Sequence, residues 1–254
     1  MVTFEGIRMK VVEFAKENPL TVILLHGGGL SWWNYKKVAE ILAQDYHVVI
    51  PLLDGHANSD REFTTIENAA DEICDYIRTQ FGGSVFAIGG LSLGGQILVE
   101  MLSRSPDICR YAIIESALVI PMAFTNRMIR PMLQMSYGLI KKRWFAKLQF
   151  HQLHIKADLF NDYYTDTCKI QKESMIAFLE SNSSYKLKDS IHSCTANVVI
   201  AVGGKEGHKM KKSANLLHHA LPKSKLVVFP QYYHGDLSMN HPEIYAELFQ
   251  SLIE

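Results

Sequence analysis

The sequence lacks an excess of charge of either sign, which narrows the partners it can bind. Its 254 residues include 26 Lys and Arg and 26 Asp and Glu, so the formal net charge is +0 at pH 7. Proteins that bind nucleic acid use clustered cations to neutralise phosphates, so we expect no nucleic-acid partner. Hydrophobic residues make up 48% and charged residues 20% of the chain. These fractions are typical of a globular protein and exclude a disordered one.

The sequence also lacks an apolar run that would form a membrane span or a signal peptide. The uncharged stretch 79–99 is long enough to cross a bilayer, but its six glycines fit a buried strand and a tight turn better. Residues 1–16 contain Glu5 and Glu13 and no continuous apolar core, so we expect no signal peptide. The four cysteines lie far apart without a C-x-x-C pair, which favours reduced thiols and a cytoplasmic location. They are Cys74, Cys109, Cys168 and Cys194.

Short apolar runs of strand length alternate with segments of helical periodicity. Continuous runs of β-branched and aliphatic residues are typical of parallel strands covered on both faces. The alternation therefore predicts an α/β fold, with a mostly parallel central sheet and helices on both faces. Residues 3–13 are a candidate antiparallel hairpin at the edge of the sheet. The predicted strands are 20–25, 46–50, 85–88, 111–114, 197–202 and 225–229.

The alternation stops between residues 116 and 193. This segment is rich in Met and aromatic residues, is interrupted by Pro121 and Pro131, and contains no convincing strand. We interpret 116–193 as a helical lid insertion, which leaves 1–115 and 194–254 as the core domain. Three methionines of the lid share one helix face, and two interpretations are open: packing against the core, or the wall of an apolar pocket. They are Met128, Met132 and Met135.

A serine flanked by glycines lies between a predicted strand and a predicted helix. In Gly90-Leu91-Ser92-Leu93-Gly94, the residues two before and two after the serine must be small, or they would clash across the tight turn. The turn lifts the serine hydroxyl above the strand end and points the helix N-terminus at any anion formed there. Gly and Ser also fill ordinary turns, so the flanking strand and helix are what favour a nucleophile.

With this motif in place, the chain resembles the α/β-hydrolase family over nearly its whole length. His26-Gly27-Gly28-Gly29 follows the first long strand, where that family has its oxyanion loop. The stretch 54–60 is similar to the family's D-x-x-G-x-G-x-S stretch, with Ala57 where glycine is usual. The resemblance implies that the backbone N–H groups of Gly28 and Leu93 bind the oxyanion, and that no cofactor or metal is required.

Position selects the general base from eleven histidines. His234 follows the last predicted strand just before the C-terminal helix, where the family has its catalytic histidine. The acid is expected after the strand 197–202, and Glu206 is the only acidic residue between 190 and 221. The chain order is then Ser, Glu, His, as in the family. Glu115, at the end of the preceding strand, is the alternative acid, because some members carry the acid there.

Two further histidines, His151 and His154, lie three residues apart in the predicted lid. This spacing suits a metal-binding pair on a helix. No third ligand stands nearby in the sequence, so plain surface positions are favoured.

The sequence therefore predicts a cytoplasmic serine hydrolase that cleaves a small ester or related acyl compound. Ser92 would attack the acyl carbonyl while His234 accepts its proton, and Glu206 would hold the imidazole in the right tautomer. C–C bond hydrolases, lactonases and thioesterases use the same three groups and remain alternatives. An alternative of another class is a low-turnover, ligand-sensing regulatory protein of the same fold.

Overall fold

A seven-stranded sheet forms the centre of the protein. The computed structural model describes residues 9–254. The strand order across the sheet is β1-β3-β2-β4-β5-β6-β7, with β1 antiparallel to β3 and the other neighbours parallel. The strands are β1 Val11–Phe14, β2 Thr21–Leu25, β3 His47–Pro51, β4 Val85–Leu91, β5 Cys109–Glu115, β6 Asn197–Gly203 and β7 Ser224–Phe229.

Ten α-helices accompany the strands within the described residues. None of them combines the length and the hydropathy that a membrane crossing requires. The helices are α1 Lys36–Leu42, α2 Ile66–Phe81, α3 Leu93–Arg104, α4 Ala123–Ile140, α5 Arg143–Gln152, α6 Phe160–Thr167, α7 Lys172–Ser184, α8 His208–Ala220, α9 Asp236–Asn240 and α10 Pro242–Ile253.

Each face of the sheet has its own hydrophobic core, because successive side chains of a strand point to opposite faces. On β2, Ile23 and Leu25 belong to a core that α2, α3 and α8 complete. Val22 and Leu24 belong to the opposite core, which α1 and α10 complete. Every residue of β2 is buried. The prediction of a mostly parallel sheet with helices on both faces is confirmed.

The six predicted strands are all present, with ends that differ from the prediction by at most three residues. β4 extends to Leu91 because this residue still pairs with Glu115 of β5. Of the predicted N-terminal hairpin, residues 3–8 lie outside the described residues. Residues Val11–Phe14 form a single edge strand on β3.

Between β5 and β6 the chain forms the four helices α4 to α7. Gln96 of α3 holds both ends of this segment with its buried amide. The amide donates to the carbonyl oxygens of Leu118 at 2.6 Å and Asn182 at 2.8 Å, and it accepts from Asn182 Nδ2 at 2.7 Å. The chain before α4 and the end of α7 therefore meet at one side chain.

Both interpretations of the three lid methionines are wrong. Met128, Met132 and Met135 are exposed, with Met135 reaching 89%. They do not face the sheet domain, because α4 uses another face for that contact. Leu133 and Tyr137 pack against the core on that face, and Ile140 is buried there.

Candidate active site

Ser92 occupies a strained turn between β4 and α3. Its φ of 55° and ψ of −112° lie in a region that residues other than glycine rarely adopt. Two backbone hydrogen bonds hold the turn. The Ser92 N–H donates to the Glu115 carbonyl at 2.9 Å, and the Ser92 carbonyl accepts from the Gln96 N–H at 2.9 Å. The sheet on one side and the helix on the other thus fix the backbone of the serine.

The glycines on either side of Ser92 are required by close backbone contacts. A Cβ added at Gly94 would lie 2.1 Å from the carbonyl oxygen of Leu25, and one at Gly90 would lie 2.5 Å from that of Gly94. These distances are far below van der Waals contact, and the clashing atoms belong to the backbone. The expectation that both positions must be small is confirmed.

The loop after β2 lies beside the first turn of α3. A Cβ at Gly28 would be 3.4 Å from Leu93 Cδ2, so the side chain of Leu93 packs against Gly28, the residue of the other predicted oxyanion donor. Leu93 is the first residue of α3, and N–H groups in the first turn of a helix have no intrahelical acceptor. The N–H of the preceding residue Gly27 donates to Asn34 Oδ1 at 3.1 Å, which helps to fix the loop.

The side chain of His26 also fixes this loop. Its Nε2 accepts from the Leu53 N–H at 3.2 Å, so its Nδ1 carries the proton and donates to the Gly27 carbonyl at 3.0 Å. The ring of His56 lies edge-on to His26, with centroids 5.1 Å apart, and stacks on Phe178 at 4.7 Å. Burial lowers the pKa of His26 to about 3, with a further contribution from His56, and burial lowers the pKa of His56 to about 4. Both rings are therefore neutral at pH 7.

Glu206 and His234 are in direct contact. His234 Nδ1 lies 2.7 Å from Glu206 Oε2. The other oxygen, Oε1, accepts from Ser116 Oγ and from the Gly203 N–H, each at 2.7 Å. Burial alone would raise the pKa of Glu206, but the hydrogen bonds and the His234 charge outweigh burial and lower this pKa. The carboxyl is therefore ionised, so the proton of neutral His234 stays on Nδ1 and Nε2 is free to accept another.

Glu115, the alternative acid, has other partners. Its Oε1 accepts from the Ser238 N–H at 3.3 Å, and its main-chain oxygen holds the Ser92 N–H. Burial raises the pKa of Glu115 to about 7. The structure thus brings Glu206, rather than Glu115, into contact with His234.

One cavity of about 430 Å³ contains Ser92, His234 and Glu206 on its walls. Between the described residues, no hydrogen bond joins the Ser92 hydroxyl to His234. Apolar and polar side chains complete the lining, and they include Leu118, Met122, Leu153, Met210, Asn182, Lys205 and Lys209. A cleft of about 550 Å³ between 65–67 and 184–189 contains none of the predicted site residues.

Three residues near the site were missed by the sequence analysis. Ser116 follows β5 directly, at the sheet edge where the acid was expected, and this position was the available signal. His154, predicted to be a plain surface residue, lines the cavity and stacks on Tyr233 with centroids 3.8 Å apart. Lys205 Nζ lies 4.9 Å from the centre of the same tyrosine ring. No sequence pattern connects these three positions, which come together only in the fold.

Comparisons with known proteins relate the chain to one family and to several hydrolases. The profile of the alpha/beta hydrolase family matches residues 22–248. The chain is 31% identical over 114 residues to the thermostable monoacylglycerol lipase of Bacillus sp. (strain H-257), a match that covers 42% of this chain and 45% of the lipase. It is 24% identical over 246 residues to the pimeloyl-acyl-carrier-protein methyl ester esterase of Neisseria meningitidis, covering 92% and 93%.

Solved structures share the architecture. The enol-lactonase of Burkholderia xenovorans LB400 superposes with a TM-score of 0.82 at 13% identity, covering 98% of this chain and 97% of that one. At this identity the similarity concerns the fold alone.

Proposed function

The chain belongs to the α/β hydrolase family and is a hydrolase, and from this premise we propose that it cleaves a small ester or related acyl compound through Ser92, His234 and Glu206. The observation that carries the proposal is the 2.7 Å contact between His234 Nδ1 and the buried Glu206 carboxylate, on the wall of the cavity that Ser92 shares. A neutral imidazole oriented in this way is the base that a serine nucleophile requires.

The proposed reaction has two halves. Ser92 Oγ attacks the acyl carbonyl as its proton passes to His234 Nε2, and Glu206 stabilises the resulting imidazolium. The N–H groups of Gly28 and Leu93 bind the tetrahedral oxyanion, and each such donor contributes about 3–4 kcal/mol at the transition state. The alcohol leaves with the proton from His234, and the acyl group stays on Ser92. Water then attacks the acyl-enzyme with His234 as base, releasing the acid and restoring the serine.

The cavity suits a short or medium acyl group. Leu118, Met122 and Leu153 give it apolar walls, and its volume of about 430 Å³ lies within the range of small-molecule sites. Because all three of these residues come from segment 116–193, we propose that this segment is the lid of a core formed by 1–115 and 194–254. All four cysteines are free, which supports a reducing, cytoplasmic location.

The proposal is tested by hydrolysis of p-nitrophenyl esters of graded chain length. Ser92→Ala should lower turnover by about 10⁴–10⁶-fold, because it removes the nucleophile. A fluorophosphonate probe should label the wild type and leave the variant unlabelled, and circular dichroism should show the same fold in both. Equal hydrolysis by the variant would refute the assignment. Labelling without turnover of any ester would refute ester cleavage and favour the C–C bond hydrolase or ligand-sensor alternative.

The identity of the acid is tested by Glu206→Gln. Oε1 receives two donors, so the amide nitrogen of glutamine must turn towards His234. His234 would then accept at Nδ1 and carry its proton on Nε2, where it cannot take the proton of Ser92. We expect turnover to fall by about 10³–10⁴-fold, as for the wrong tautomer in other serine hydrolases. The matched control is Glu115→Gln, which should lose less than tenfold; the reverse order would refute the choice of Glu206.

A further inference from the structure

Helix α4 carries a second apolar face that nothing in the described structure covers. Five side chains recur at intervals of 4, 4, 3 and 4 residues, so they form one stripe along the helix. Phe124 at its start is 81% exposed and Met135 is 89% exposed. The stripe consists of Phe124, Met128, Met132, Met135 and Leu139.

The next helix, α5, also exposes large apolar side chains. Trp144 and Leu148 of α5 are 64% and 54% exposed. Isolated exposed apolar residues are ordinary, but a contiguous group of this kind marks an interaction site. The stripe together with Trp144 and Leu148 is called the outer patch.

The two helices that carry the outer patch contain charges of one sign only. Residues 123–152 contain six Lys or Arg and no Asp or Glu, although the chain as a whole is neutral. Arg130 pairs with Glu173 and Glu180 of α7. Within residues 9–254, the other five cations form no ion pair with a carboxylate. They are Arg127, Lys141, Lys142, Arg143 and Lys147.

We propose that the outer patch docks on an anionic lipid surface. A helix with Phe, Trp, Leu and Met on one face and Lys or Arg beside them is suited to the boundary between headgroups and acyl chains. The lysines would attract anionic headgroups. A fluid acyl layer also accepts side chains that project as far as Phe124 and Met135 do, without needing a matching groove.

A second copy of the chain fits the same surface less well. A symmetric contact places each patch against itself, so the unpaired cations of one copy would face those of the other. No carboxylate of α4 or α5 is present to offset this repulsion.

The helices that carry the outer patch are flanked in the sequence by residues that line the cavity. Met122 and Leu153 line the cavity, and these residues directly precede α4 and follow α5. A lipophilic ester in the bilayer would therefore lie close to the residues that border Ser92. This last step rests on the proposed function, whereas the docking itself does not.

Flotation with lipid vesicles tests the proposal. The protein is mixed with vesicles of phosphatidylcholine, either alone or with phosphatidylserine, and tryptophan emission is recorded in parallel. We expect binding to the phosphatidylserine vesicles with a blue shift of the emission. Phe124→Ser combined with Met135→Ser should weaken partitioning by at least about tenfold, since both side chains lose their burial in lipid. Lys141→Gln combined with Lys142→Gln should weaken it by about fivefold per lysine on anionic vesicles only.

Two controls separate docking from folding and from catalysis. Leu216→Ser combined with Val228→Ser removes exposed apolar side chains elsewhere and should leave binding unchanged. Ser92→Ala should bind like the wild type, so a failure of the proposed chemistry does not affect this result. Absence of binding to anionic vesicles, or equal binding by the Phe124 and Met135 variant, would overturn the proposal. So would a dimer in sedimentation that this variant converts to monomers.

Discussion

Acid should weaken the fold through two buried histidines, His26 and His56, which lie beside the loop that follows β2. The pKa of His26 is lowered to about 3 and that of His56 to about 4, from an ordinary value of 6.5. The unfolded chain therefore binds more protons than the fold between these values, so stability is fully present above pH 6.5 and is lost as the pH falls. On going from pH 8 to pH 5, each histidine should lower the free energy of unfolding by about 2 kcal/mol. This value is about 1.36 kcal/mol per pH unit over the roughly 1.5 units from pH 6.5 to pH 5.

Glu115 acts in the opposite direction. Its pKa is raised from 4.5 to about 7, so the folded state binds more protons than the unfolded state between these values. Glu115 therefore stabilises the fold at low pH, and this stabilisation is lost as the pH rises through 7. On going from pH 8 to pH 5, Glu115 should raise the free energy of unfolding by about 2.5 kcal/mol. The contributions of Glu115 and of the two histidines to the wild-type free energy of unfolding therefore partly cancel over this interval. A variant is needed to isolate the histidines.

His56→Phe isolates one of them. The phenyl ring keeps the stacking on Phe178, and the loss of the hydrogen bond to the Asp54 carbonyl is the same at every pH. Urea unfolding of both proteins at several pH values gives the difference in unfolding free energy. We expect this difference to shift by about 2 kcal/mol in favour of the variant between pH 8 and pH 5.

The control for this experiment is His192→Asn, which removes an exposed histidine and should follow the wild type at every pH. If the His56 variant and the wild type change in parallel with pH, the buried neutral histidine is not the source of the acid sensitivity. Burial would then not be what lowers the pKa of His56.

Other substitutions test single contacts. Ser116→Ala removes one of two donors to Oε1 of Glu206. It should lower kcat/KM by about 10-fold or more, since a hydrogen bond to a charged group contributes about 1.5–3 kcal/mol. An unchanged kcat/KM would contradict that contact. Gly94→Ala places a Cβ against the Leu25 backbone and should abolish soluble expression. Gly138→Ala, in an exposed helical position with open space, should instead raise the unfolding free energy by up to about 1 kcal/mol in urea titrations. Tolerance of alanine at Gly94 would show that the turn can relax.

The predictions that succeeded rest on local signals. Six strands followed from continuous apolar runs, because a strand covered on both faces needs apolar residues at every position. The turn at Ser92 followed from glycine spacing, because the close contacts of Gly90 and Gly94 arise within one strand–helix unit. Such patterns depend on residues close together in the sequence, so long-range contacts do not alter what they predict.

The predictions that failed or stayed open depend on long-range contacts. Helical periodicity groups Met128 and Met135 on one face but does not say whether another element covers that face. Glu115 and Glu206 follow neighbouring parallel strands and reach the same sheet edge, so chain order alone left both open. The path of the loop before His234 decides which of the two carboxylates contacts the imidazole, and no local sequence pattern predicts this path.

The pairing of Gln96 with Leu118 and Asn182 also bears on how such a protein can change over evolutionary time. The chain leaves the core and returns to it at a single buried amide, so the two attachment points are already neighbours. A replacement segment of different length needs only to begin and end there, because closing a longer loop between fixed neighbours costs little. The helical segment can therefore be replaced while the strands and the turn at Ser92 stay in place.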